Sequence, residues 1–266
     1  MRPARAGIGV AMLVTLSFLP VRAEVHTLEV TSPTTATLSG DLTLPTGTGP
    51  FPAVILLHGC AGIGPNIKQW SHWLVHEGYA AFVLDSFSGR RIRRLCGHPD
   101  PLTGSMRAPD VYAAAKYLKA LGTIDGERMV AMGFSHGGWA VLAAATTEDR
   151  YPDIPLRGFI AFYPGCGKGL ALPGTAPVLI LTGGKDDWTP AGPCQPTAES
   201  SRAAGRDVTA VIYPEARHHF DGAEVRGIVF VPDARRNMGA TIQYNPAAHE
   251  DSEKQILRFL RAHLAK

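Results

Sequence analysis

Short apolar runs without polar alternation recur along this chain, separated by stretches whose apolar residues return at helical spacing. Residues 53–57 (A-V-I-L-L), 80–84, 158–163, 177–181 and 208–213 are such runs, as is the stretch from Met129 to Gly133. Continuous apolar runs of this length fit strands buried on both faces of a parallel sheet. Between them, 66–78 predicts a helix with Trp70, Trp73 and Leu74 on one face and Gly78 as its stop. Residues 109–121 predict a second helix, with Pro109 in its first turn and Val111, Ala114, Ala115 and Leu118 on one face. Helices are also predicted over 197–204 and 252–265, the last with Ile256, Leu257, Phe259 and Leu260 turned inward.

The Thr- and Val-rich segment 25–44 predicts an edge hairpin. Residues 88–107, rich in Gly, Pro and Arg, predict a loop, and 222–248 an irregular insertion placed to cover part of a site. Strands separated by helices predict an α/β fold with a mostly parallel central sheet and helices on both faces. Ligand sites in such sheets lie at the carboxyl ends of the strands.

Composition adds three points. The 266 residues are 45% hydrophobic, enough for one domain with a substantial core. A net charge of +3 with scattered Lys and Arg gives no footprint for nucleic acid. The densest basic group, Arg90, Arg91, Arg93 and Arg94, reads first as a solvated loop. At the N-terminus, two arginines precede the apolar stretch 6–20, and Val21-Arg22-Ala23 offers a small-residue cleavage site. That pattern predicts a signal peptide over 1–23, a mature domain over 24–266, and a secreted or periplasmic protein, with an uncleaved anchor as the alternative. In an oxidising compartment Cys60, Cys96, Cys166 and Cys194 read as disulfides. The pairing Cys60–Cys96 with Cys166–Cys194 is favoured, because each bond would join two loops at one edge of the sheet.

The candidate chemistry sits at strand ends. Gly133-Phe-Ser135-His-Gly137 lies between an apolar run and an Ala-rich helical stretch. G-x-S-x-G between strand and helix places a serine on a tight turn with its hydroxyl at the sheet edge. Asp186 and Asp187 follow the 177–181 run, and His218 and His219 follow the 208–213 run. Ser, Asp and His thus arrive in the chain order that accompanies this turn. A serine needs a histidine base to become nucleophilic, and the histidine needs a carboxylate to fix its tautomer. The oxyanion donors are expected to be the backbone N–H groups of His136 and of Cys60, the latter in the loop after residues 53–57. His72 and His76 stand i, i+4 like zinc ligands, but with no third ligand nearby they read as a solvated helix face. His58 reads as a packing or hydrogen-bonding residue of the oxyanion loop. The constellation calls for no cofactor or metal.

These four motifs, Leu57-His-Gly-Cys-Ala-Gly62, Gly133 to Gly137, Gly183-Gly-Lys-Asp186-Asp-Trp-Thr-Pro190 and Tyr213-Pro-Glu-Ala-Arg-His218-His-Phe-Asp221, resemble the dienelactone hydrolase family of α/β-hydrolases. The resemblance runs from about Leu38 to Leu264 and implies an α/β-hydrolase fold and a small-molecule ester or lactone substrate. Within it, the acid falls on Asp186 rather than Asp187, and the base on His218 rather than His219. The oxyanion loop residue falls on Cys60, and a substrate-carboxylate arginine falls on Arg90. The chain departs from dienelactone hydrolase proper in carrying Ser135 where that enzyme has cysteine. It also lacks an arginine soon after the histidine, where Gly222 stands. The departures point to a general serine ester hydrolase on the same scaffold. A serine peptidase of the same fold and a non-catalytic binding protein on this scaffold are the competing readings.

Overall fold

The computed structural model describes residues 23–30, 36–167 and 170–265, with side chains from residue 36 onward. The expected signal peptide lies outside the described residues, apart from Ala23. An eight-stranded sheet in the order β1-β2-β4-β3-β5-β6-β7-β8 forms the centre. Its strands are β1 (Ala23–Val30), β2 (Ala36–Thr43), β3 (Phe51–Leu57), β4 (Ala80–Asp85), β5 (Ile124–Phe134), β6 (Phe159–Phe162), β7 (Val178–Gly183) and β8 (Val208–Tyr213). The β1–β2 and β2–β4 pairs are antiparallel, and every pair from β4 through β8 is parallel. The terminal hairpin therefore caps one edge, as its Thr- and Val-rich sequence predicts.

Each central strand divides its side chains between two apolar layers, because successive residues point to opposite faces. In β3, Ala53, Ile55 and Leu57 join one layer, with α2 (Gly104–Lys119), α3 (His136–Ala145) and α4 (Cys194–Ala203). Val54 and Leu56 join the other, with α1 (Pro65–His76) and α6 (Pro246–Leu264). The unalternated apolar runs are thus explained by helices on both faces.

Three sequence expectations need correction. First, α2 begins at Gly104, five residues before Pro109, with Thr103 as its N-cap accepting the Met106 N–H at 3.3 Å. The Thr103 cap outweighs the Pro109 signal; the proline sits inside the helix and removes one backbone bond near its start. The 88–107 stretch is therefore loop only in part, and Arg107 is helical. Second, α4 and α6 start earlier than their apolar residues suggest, at Cys194 and Pro246, the latter capped by Asn245. Third, 222–248 is less irregular than predicted. It folds back as a small antiparallel pair, β9 (Val229–Val231) with β10 (Ala240–Ile242), joined through the single turn α5 (Ala234–Asn237).

Both disulfides favoured from the sequence are formed, Cys60–Cys96 and Cys166–Cys194. The first ties the loop after β3 to the loop before α2, and the Leu95 N–H donates to the Cys60 carbonyl at 2.8 Å beside it. The second ties the loop after β6 to the start of α4.

Candidate active site

The turn between β5 and α3 is built by its glycines. A Cβ on Gly133 would stand 2.2 Å from the Gly137 carbonyl oxygen, and one on Gly137 would stand 2.2 Å from the Leu57 carbonyl oxygen. Only glycine lets α3 approach β5 and β3 this closely. Ser135 takes φ 54° and ψ −115°, a conformation costly for a residue with a side chain. Its N–H donates to the Phe162 carbonyl at 2.9 Å, which pins the turn to the neighbouring strand. The strained serine is thereby held at the carboxyl edge of the sheet, half-buried, at the N-terminus of α3.

From the ends of β7 and β8 come the other two groups. His218 Nε2 lies 2.9 Å from Ser135 Oγ, and its Nδ1 lies 2.8 Å from Asp186 Oδ2. The carboxylate cannot donate, so Nδ1 carries the proton and Nε2 is free to accept from the serine. Asp186 is fully enclosed. Its Oδ1 accepts the N–H groups of Trp188 and Thr189 at 2.9 and 2.8 Å, and Thr189 Oγ1 lies 2.9 Å from Oδ2. The imidazole is packed between Tyr163 and Trp188, with ring centroids at 4.5 and 4.8 Å. Tyr163 is itself anchored, donating from its hydroxyl to buried Asp221 at 2.7 Å.

The neighbouring residues do different work. Asp187 accepts the N–H and hydroxyl of Thr241, at 2.9 and 2.8 Å, and so holds β10. His219 turns to Glu224 at 2.9 Å. Burial opposes its protonation, but the Glu224 hydrogen bond and the nearby Asp221 outweigh that and raise its pKa.

Cys60 and His136 line one cavity together with Ser135. Neither N–H donates to another group among the described residues, and that of His136 opens α3, where helix geometry offers no internal acceptor. The His136 N–H lies where the α3 dipole favours negative charge.

Arg90 is not where the resemblance implies. Its guanidinium grips Asp110 with two hydrogen bonds, at 2.8 and 2.7 Å, and also donates to the Ser86 carbonyl. Its side chain is buried and lines neither lobe of the cleft described below, so a role in holding substrate carboxylate is corrected to a structural one. The basic cluster is split: Arg94 reaches across to Asp233 in the insertion with two hydrogen bonds. His72 and His76 lie on the exposed face of α1.

Ser135 opens into a cleft with two lobes. One, of about 250 Å³, is lined by His218, Tyr163, Asn66, Val231 and Ile242 among others. The other, of about 320 Å³, is lined by His136, Trp139, Leu95, Met238 and Arg235 among others. The Cys60–Cys96 disulfide and Trp188 border both lobes. The insertion supplies Val231, Arg235, Met238 and Ile242, so it lines the site as its position in the sequence suggests. Two bidentate pairs, Arg94–Asp233 and Arg236–Asp100, clasp it to the disulfide loop.

A model of the dienelactone hydrolase family matches residues 38–264. The chain belongs to the dienelactone hydrolase family. A relative from Methylorubrum extorquens, named "Putative carboxymethylenebutenolidase", is 28% identical over 197 residues; the match spans 66% of this chain and 66% of that protein. A Bradyrhizobium relative named "Probable 2-oxo-3-(5-oxofuran-2-ylidene)propanoate lactonase" is 25% identical, across 84% of this chain and 88% of its own. The crystal structure of dienelactone hydrolase from Anabaena variabilis superposes with a TM-score of 0.63 at 17% identity, covering 91% of this chain and 99% of that one. At that identity the likeness is one of fold, the α/β-hydrolase fold.

Sequence reasoning overlooked several residues around Ser135 and His218. Thr189 and Trp188 sit in the same loop as Asp186, and Tyr163 directly follows β6, so position alone marked them. Arg107 carried no signal, because 88–107 read as loop. It is fully buried against His58 and His136.

His58 and His136 are held neutral. Burial, then the Arg107 charge, lowers the pKa of each to about 3. In the unfolded chain each titrates near the ordinary value of 6.5. Below that value the unfolded state binds protons that the folded state refuses, so stability is lost as pH falls from about 6.5 towards about 3. Each imidazole contributes a slope of up to about 1.4 kcal/mol per pH unit in that window. Urea unfolding at pH 6, 5 and 4 is expected to show a shallower slope for His136→Gln than for wild type; parallel slopes would show that His136 is charged in the fold.

Proposed function

We propose that this chain is an exported serine hydrolase that cleaves a carboxylic ester or lactone through an acyl-enzyme. The observation that carries the reading is the continuous Asp186–His218–Ser135 hydrogen-bond chain, at 2.8 and 2.9 Å, opening on the cleft. In this reading Ser135 Oγ attacks the carbonyl carbon while His218 Nε2 takes its proton. The Cys60 and His136 N–H groups stabilise the tetrahedral oxyanion, each donor contributing about 3 kcal/mol to lowering the barrier. The C–O bond then breaks and the imidazolium returns the proton to the leaving alkoxide. Water, deprotonated by His218, attacks the acyl-enzyme, and collapse releases the acid and regenerates the serine hydroxyl. Asp186 holds the imidazole tautomer and stabilises its charged form throughout.

The relatives named for lactone substrates support the lactone or ester class over peptides. Export is supported by the N-terminal pattern and by two disulfides that suit an oxidising compartment. Cleavage after Ala23 would leave β1 nearly whole, since its pairing with β2 continues from Glu24 to Val30.

The test is a panel of short p-nitrophenyl esters, lactones and peptides, with a fluorophosphonate probe, on exported protein whose N-terminus is sequenced. The expected outcome is an N-terminus at Glu24, turnover of an ester or lactone, and probe attachment at Ser135. Turnover of peptides alone would move the reading to a peptidase. Neither turnover nor labelling would support a binding protein instead.

A further inference from the structure

Arg107, on α2, is fully buried behind the turn that carries Ser135. Nη1 donates to the His58 carbonyl at 3.1 Å and to His136 Nδ1 at 2.9 Å, and Nη2 donates to Ser86 Oγ at 3.3 Å. The guanidinium also lies over the Phe87 ring, 5.1 Å from its centroid. Asp110, one turn further along α2, has both oxygens occupied by Arg90. Arg107 donates to no carboxylate among the described residues, and its Nε has no partner there. Every group it hydrogen-bonds is neutral. An arginine serving packing alone is usually paired with a carboxylate when buried this deeply, because an isolated charge is costly to enclose.

The partners it does have are informative. The His58 carbonyl belongs to the loop that presents the Cys60 N–H. His136 is the residue whose N–H is the other proposed donor. One guanidinium nitrogen therefore bridges both donor-bearing segments from behind. His136 is neutral, with Nδ1 accepting, so the link is a directed hydrogen bond from Arg107 rather than a repulsion between two cations.

We propose that Arg107 is a positioning residue for the oxyanion site: it fixes the Cys60 and His136 N–H groups relative to each other, and sets a buried positive charge behind the developing oxyanion. The inference rests on the serine hydrolase reading above. The ground-state carbonyl is neutral and the tetrahedral intermediate is an anion. A fixed charge in a poorly solvated surrounding therefore acts on the barrier more than on substrate binding.

The experiment compares wild type, Arg107→Met and Arg107→Lys on one p-nitrophenyl ester. It measures kcat, KM, thermal unfolding, and the affinity of an alkylboronic acid that forms an anionic tetrahedral adduct on serine. Arg107→Met is expected to lower kcat by about 10- to 100-fold and weaken the boronate by a similar factor, with KM within about threefold. Arg107→Lys restores part of both. A folded Arg107→Met with wild-type kcat, or a loss confined to KM, overturns the proposal. If Arg107→Met does not fold, His136→Leu and His136→Gln decide. Glutamine keeps an acceptor for Arg107 and leucine does not, so equal kcat in the two overturns it. Failure of the underlying reading looks different: wild type itself would turn over no ester, or would match Ser135→Ala.

Discussion

Ser135→Ala is expected to lower kcat/KM on a short p-nitrophenyl ester by about 10⁴-fold or more, with thermal stability close to wild type. The size follows from the loss of the group proposed as the nucleophile. His218 Nε2, 2.9 Å from Ser135 Oγ, then has no hydroxyl to deprotonate. The residual rate would come from the two N–H donors and the cleft, which still bind and polarise the carbonyl. Stability should change little because the hydroxyl's hydrogen bond is to His218 at a half-buried position, while the strained turn is set by its glycines. Fluorophosphonate labelling should disappear in parallel. Equal rates for variant and wild type would remove the serine mechanism and return the function to an open question.

Asp186→Asn carries the second large effect. An asparagine keeps the shape, but its amide can donate to His218 Nδ1 and so favour the tautomer with the proton on Nε2. That tautomer cannot accept from Ser135, and the expected loss in kcat is about 10⁴-fold. Asp187→Asn makes the contrast. Asp187 binds the Thr241 N–H and hydroxyl and holds β10 at the cleft wall. Its replacement is expected to cost less than about tenfold, mainly in KM, because the neutral amide oxygen still accepts one of those bonds. Steady-state kinetics on the same ester read both variants. A larger kcat loss in Asp187→Asn would show that the wrong aspartate has been assigned to the imidazole.

Neighbouring residues of this kind mark the boundary of what the sequence shows. Asp186 with Asp187, and His218 with His219, share a loop and a residue type. One position along the chain turns a side chain to a different partner, and nothing local says which partner is there. The family pattern selected Asp186 and His218; His218 lies 2.8 Å from Asp186 and 2.9 Å from Ser135. For Arg90 the same reasoning failed. Counting residues beyond β4 placed an arginine near the site, but Asp110 on α2 stands opposite it, and two strong hydrogen bonds hold it there. The early start of α2 also hid Arg107, since a loop reading gives an arginine to solvent.

The fold gives the Gly133 to Gly137 motif a physical reason. On sequence it was a pattern between a strand and a helix. In the fold its two glycines are required because α3 lies against β5 and β3 at backbone distance.

The sequence by itself determined the element types, the strand-to-helix alternation, the edge hairpin, the favoured cysteine pairs and the chain order of Ser, Asp and His. These depend on periodicity, turn chemistry and local steric needs, which act over a few residues. Only the tertiary structure decided that Asp187 and His219 turn to Thr241 and Glu224, that Arg90 serves Asp110, that Arg107 is buried against His58 and His136, and that 222–248 folds back as a strand pair. Those outcomes depend on strand order and on loops brought together from residues as far apart as Ser135 and His218. Distances between strand ends are set by the packing of the whole sheet, and no local spacing in the chain encodes them.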